Sequence, residues 1–95
     1  MFDTDSYREH FIYKGIDKER ARQDEIWGVQ THHPLMWFSI ILEEVGEMCK
    51  AYNEYSFTQS TASLEEMMRE AIEAAASICA MLECIERVGR EGMVP

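Results

Sequence analysis

The stretch FSIILEEVGEMCKAY, residues 38–52, decides the fold. Its apolar residues recur at the three- and four-residue spacing of a helix face, yet three carboxylates, Glu43, Glu44 and Glu47, interrupt them. At about 100° of rotation per residue, Ser39, Gly46, Lys50 and Asn53 fall on one side, the expected solvent face. Glu44 points nearly the opposite way, and Glu47 projects between Met36, Ile40 and Ala51. Charge is therefore directed toward or beside the packing surface, where it needs a partner.

Working outward, Pro34 supplies a first helical position, so this helix is expected from 34 to about Tyr55. The polar run SFTQSTA, residues 56–62, reads as a linker. Ser63 with Glu66 forms a capping-box signature for a third helix running to about Val88, with Gly89 as C-cap. Upstream, DKERARQDEIW, residues 17–27, reads as a shorter first helix closed by Gly28; it carries much of the positive charge. The fold class expected is all-α: an antiparallel helical hairpin plus an N-terminal helix, one domain over 1–95 with its core motif region at 34–88. Such a small set of helices offers too little cover for LMWFSIILEEVGEMC, residues 35–49. Completion into a helical bundle by oligomerisation, as a homodimer or homotetramer, is expected.

Composition narrows the partners. Nine Lys and Arg against 18 Asp and Glu give a formal net charge of -9, which disfavours a nucleic-acid polymer but leaves a free nucleotide bound through a metal ion. The longest apolar run, LMWFSIIL, is far short of a membrane span, and Asp3, Asp5 and Arg8 stand where a secretory signal needs an apolar stretch. A cytoplasmic protein with no membrane contact is expected. Cys49, Cys79 and Cys84 are odd in number, form no CxxC pair and are expected as reduced core residues.

The third helix repeats the charge pattern. Glu65, Arg69, Glu83 and Arg87 read as a solvent face with two i,i+4 ion pairs. Glu66, Glu70 and Glu73, continued by Ser77, form a second stripe with no basic residue at the downstream helical neighbours of Glu70 and Glu73, so it is expected to lack internal neutralisation. A hairpin centred near Gln59 sets Glu44 level with Glu73 and Glu47 level with Glu70. Four converging carboxylates call for a cation, and all-oxygen ligation suits Mg²⁺ or Mn²⁺.

The segments LEEVGEMCKAYNE, residues 42–54, and REAIEAAASICAMLECIER, residues 69–87, resemble the MazG-like all-α nucleoside triphosphate pyrophosphohydrolases, whose motif is EExxE followed by ExxD on the next helix. Glu73 stands where that motif has Asp, one methylene longer. ERARQDEIWG, residues 19–28, is similar to the N-terminal segment of small bacterial and phage members. The resemblance implies Mg²⁺-dependent hydrolysis of a nucleoside triphosphate to the monophosphate and pyrophosphate. It implies Glu44, Glu47, Glu70 and Glu73 as metal ligands, and Glu43 in contact with the ion through water, or orienting or deprotonating the attacking water. Glu43, Glu44 and Glu47 are thus the expected catalytic carboxylates.

Arg22, Gln23, Trp27, Lys50 and Asn53 are the candidate substrate contacts. Each has a plainer reading. Lys50 is placed equally well to pair with Glu47, Lys18, Arg20 and Arg22 read more simply as an exposed charged face, and Trp27, Trp37 and Tyr52 more simply as core aromatics than as base-stacking platforms. His32 and His33 read as structural, and no Gly-rich phosphate loop occurs. Two other functions stand beside hydrolysis: a member that binds nucleotide or metal without turnover, and an acidic helical interaction module.

Overall fold

The structure is a computed structural model that describes residues 3–89; the ends of the expected 1–95 domain, residues 1–2 and 90–95, lie outside the described residues. It is all-helical, in the order α1 (Thr4–Tyr7), a π-helical segment (Arg8–Tyr13), α2 (Lys14–Trp27), α3 (Pro34–Thr58) and α4 (Thr61–Val88). The first three run on without a break, so the N-terminal helix begins at Thr4, not at Asp17. Asp3 starts it by accepting from the backbone N–H groups of Asp5 and Ser6. Gly28 ends it at φ 69°, a value that favours glycine.

Pro34 occupies the first turn of α3, as its fixed φ favours, and the His33 ring nitrogen Nδ1 accepts from Leu35 N–H at 3.2 Å. The expected seven-residue linker is instead a tight turn at Gln59 and Ser60. Gln59 adopts the left-handed conformation, φ 50°, with its N–H on Tyr55 O, and Ser60 caps α4 through Ser63 N–H at 3.1 Å. The capping box predicted at Ser63 and Glu66 is thereby corrected by three residues. Ser63 is a receiver of the cap, and its hydroxyl joins those of Thr58 and Ser60 in one cluster. That cluster satisfies the turn's polar groups without a longer loop.

α3 and α4 pack against each other as the antiparallel hairpin, and α2 lies mainly along α4. The buried core is narrow: Trp37 and Ala51 of α3 with Ala74, Ala76 and Cys84 of α4. Small side chains let the helix axes approach closely, which is the role of the Ala74 to Ala76 run. Gly15 brings α2 onto Ile72, whose side chain stands 3.5 Å from where a Cβ on Gly15 would sit. One turn and a half further, Arg20 clamps α2 to α4 through both Glu83 oxygens at 2.7 and 2.8 Å, while also reaching Asp24 and Gln23.

This clamp revises the solvent face drawn for the third helix. Glu83 pairs with Arg20 and not with Arg87, which instead donates to Gln30 O at 2.6 Å and to Thr31 Oγ1, fastening the connection before α3. The cysteines also divide: Cys84 is fully buried and Cys79 half-buried, but Cys49 is exposed, which corrects its expected core position. All three are free thiols. Among the described residues no helix is long and apolar enough to cross a membrane.

Candidate metal centre

The hairpin register brings Glu44 of α3 to Glu70 and Glu73 of α4, with one carboxylate oxygen of each lying within 4.8 Å of the others. Glu70 is buried, 8% exposed, and Glu44 and Glu73 are half-buried. Burial and proximity act in the same direction on them. Desolvation, followed by the charge of Glu73, pushes the Glu70 carboxyl up to about 7. Desolvation, with Glu73 and Glu43 nearby, also raises Glu44 above the usual carboxylate range.

Glu47 does not join this group. It is exposed, stands toward the turn, and with Lys50, Glu54, Glu66 and Glu70 lines a separate cavity of about 330 Å³. The expected convergence of four carboxylates is therefore a convergence of three. The reason is angular: Glu44 and Glu47 are neighbours on α3 but differ by about 60° around its axis, so Glu44 meets Glu70 and Glu73 while Glu47 stays exposed at the cavity it shares with Glu66 and Glu70.

The expectation that the Glu66, Glu70 and Glu73 stripe lacks neutralisation is also corrected. Arg69 donates to Glu73 Oε1 at 2.6 Å, to Glu70 Oε1 at 3.1 Å and to both oxygens of Glu66. It is the upstream i−4 neighbour of Glu73, and it turns to this stripe and not to Glu65. One guanidinium against the four carboxylates of Glu44, Glu66, Glu70 and Glu73 still leaves three in excess.

A cavity of about 560 Å³ adjoins Glu44 between α2, α3 and α4, large enough for a ligand of nucleotide size. Glu43 and Glu44 share its wall with Arg22, Gln23 and Trp27 of α2 and with Ser77 of α4. Arg22 is held by both Glu19 oxygens at 2.7 and 2.8 Å, and its guanidinium carbon lies 6.0 Å from the Trp27 ring centre. Trp27 is 57% exposed, so it is an open aromatic wall and not a core residue. Trp37 is core, meeting His32 edge-on at 4.9 Å; its Nε1 is the one buried side-chain donor among the described residues with no partner. Gln23 is buried, its amide spanning Arg20 and Glu19. Lys50 and Asn53 are exposed on α3, Lys50 beside the smaller cavity, and neither lines the larger one.

Sequence reasoning missed Glu19, whose carboxyl Arg22 holds below the usual range through hydrogen bonding. The i,i+3 spacing of Glu19 and Arg22 was the available signal.

The raised carboxyls predict how stability depends on pH. Glu70 has an ordinary value of 4.5 unfolded and about 7 folded, so between these values the folded chain binds the extra proton. Stability should be greatest near the lower end of that window and fall by about 3 kcal/mol as pH rises through it. Urea unfolding in chelator at pH 5, 6, 7 and 8 checks this; a flat or rising profile would remove the electrostatic frustration assigned to the cluster.

No family model matches the chain, and neither a curated protein nor a solved structure matches it.

Proposed function

We propose that the chain is a divalent-cation-dependent nucleoside triphosphate pyrophosphohydrolase. The observation that carries this reading is the meeting of Glu44, Glu70 and Glu73 within 4.8 Å beside a nucleotide-sized cavity. Three hard oxygen donors in a part-buried, mutually repelling set fit Mg²⁺ or Mn²⁺ better than the softer zinc. Bound there, such an ion supplies charge neutralisation of the triphosphate and a more acidic water.

The chain's own groups supply the rest. Glu43 is exposed on the cavity wall beside Glu44 and is the carboxylate free to orient or deprotonate water. Trp27 offers a ring face to a base, and Arg22, fixed by Glu19, presents positive charge on the same wall. Gln23 is a buried amide whose position is set by Arg20 and Glu19, and it orients that wall. Glu47 lines the neighbouring cavity, where Lys50 is the cation available to a phosphate. The net charge of -9 argues against a polymeric nucleic acid as substrate.

The reading includes assembly. Leu35, Phe38, Leu42 and Tyr52 of α3 and Met68, Ile78 and Leu82 of α4 are each 40–69% exposed, and a second copy of the chain covers this face in a helical bundle. A cytoplasmic location accompanies it. A second reading, binding of nucleotide or metal without turnover, is favoured by one observation: Glu73, where the motif has Asp, is itself held by Arg69.

The deciding experiment is a panel of ribo- and deoxyribonucleoside triphosphates assayed for pyrophosphate in Mg²⁺ and in chelator. Monophosphate and pyrophosphate are expected in equal amounts, only with metal. Release of single orthophosphate would replace the reaction, and silence across the panel with retained Mg²⁺ binding would favour the second reading.

A further inference from the structure

Arg69 sits on the solvent side of the carboxylate cluster. Its side chain is 56% exposed, whereas those of Glu70 and Glu73 beneath it are 10% and 18% exposed. The guanidinium divides its donors between two places. Nη1 and Nη2 reach Glu73 and Glu70, at 2.6 and 3.1 Å, and Nε and Nη2 engage Glu66, which is not one of the three converging carboxylates. Glu44 receives no hydrogen bond from it and faces Glu73 across the seam. Arg22, the other arginine close to the cluster, is already bound at both oxygens of Glu19.

A monovalent guanidinium and a divalent ion cannot share the same two carboxylates at full strength, because like charges a few ångströms apart repel strongly where water is scarce. The arm has somewhere to go. Glu66 is 48% exposed and already accepts from Arg69 at both oxygens, so the side chain can leave Glu70 and Glu73 and keep a charged partner.

We propose that Arg69 is the resident cation of the Glu44, Glu70 and Glu73 cluster and that a divalent ion binds by exchange with it, the guanidinium withdrawing onto Glu66. The inference rests on the metal-binding part of the function proposed above, and not on the reaction. Arg69 thereby holds the metal-free cluster together and sets a threshold on its affinity for free metal.

Mg²⁺ titration calorimetry without nucleotide, at pH 8, tests this on the full chain with Arg69→Gln and Arg69→Lys. Arg69→Gln is expected to bind Mg²⁺ at least tenfold more tightly than wild type, and Arg69→Lys, which keeps the charge, within about threefold of it. Equal or weaker binding by Arg69→Gln overturns the exchange, as does absence of Mg²⁺ binding in both proteins. If Arg69→Gln does not fold, the wild type answers by NMR. The Arg69 Nε–Hε signal, identified by its loss in Arg69→Lys, should shift as Mg²⁺ saturates, and an unmoved signal overturns the proposal. Exchange without pyrophosphate release leaves this inference standing and removes the reaction. Pyrophosphate release with unchanged Arg69→Gln affinity does the opposite.

Discussion

Replacing Glu70 by glutamine is expected to raise the metal-free melting temperature and, in the same protein, to reduce pyrophosphate release roughly 10³-fold. The two effects have one cause. Glu70 is buried against Glu73, and its carboxyl is pushed up to about 7, so at pH 8 the folded chain carries an ionised group that its surroundings disfavour. Glutamine keeps the shape and an acceptor for Arg69 while deleting that charge. A gain of about 1–2 kcal/mol corresponds to roughly 5–10 °C for a domain of this size. Wild type should gain stability as Mg²⁺ is added, following RT ln(1 + [L]/Kd), and the variant much less.

Glu47→Gln supplies the contrast. Glu47 is exposed and outside the converging three, so its metal-free melting temperature should stay within the small range of surface substitutions. Melts of wild type and both variants, in Mg²⁺ and in chelator, give the comparison. A lower metal-free melting temperature for Glu70→Gln with activity retained would make Glu70 a structural ion-pair partner of Arg69 and nothing more.

The hairpin was legible because two long apolar periodicities flank a short polar run, and a turn centred at Gln59 fixes the register that carries Glu44 to Glu73. Local chemistry decided the finer boundaries. Ser60 and Ser63 are both sound N-caps by composition, and the choice went to Ser60 because Gln59 turns left-handed and closes the hairpin at once. Residues 4–16 carry no clear one-sided apolar pattern and are interrupted by Gly15, so the sequence points to a start only at Asp17, and in the structure Phe11, Ile12 and Tyr13 are exposed. Gly15 has a packing reason instead, since it admits Ile72 of α4.

The candidate site was legible in its residue types and not in its pairings. Arg69 can reach Glu65, Glu66 or Glu73 along its own helix, all at allowed spacings. Its contacts to the part-buried Glu70 and Glu73 follow from α3 setting Glu44 against Glu73, a tertiary fact, while it keeps the exposed Glu66 at i−3. Arg20 is the same case: its helical neighbours Asp24 and Gln23 were visible in the sequence, but its strongest partner, Glu83, is 63 residues away. The Glu47 position shows the converse limit. Equal height along a hairpin does not make two side chains meet unless their angles around the helix also agree.

Replacing Leu42 by lysine is expected to convert an assembled protein into a monomer while leaving the fold of each chain intact. In the single chain Leu42 is 68% exposed, so a lysine there loses little packing and keeps its ammonium in water. Leu35, Phe38, Leu42, Cys49 and Tyr52 follow one another at spacings of three, four, seven and three, the repeat of a helix face that meets another helix. The hairpin register sets Leu35 level with Leu82, Phe38 near Ile78 and Cys49 level with Met68, so the two helices offer a continuous apolar strip. Its seven large side chains are each 40–69% exposed, and a standard interface takes about 800 Å² from each partner. At about 25 cal/mol per Å², leaving such a strip in water is costly enough to drive association at micromolar concentration. Light scattering across a concentration series reads the outcome directly: wild type as dimer or tetramer, Leu42→Lys as monomer, with the melting temperature of wild type rising with concentration and that of the variant constant. A wild type that is already monomeric at micromolar concentration, melting at the same temperature as Leu42→Lys at every concentration, would mean that no second copy covers this face.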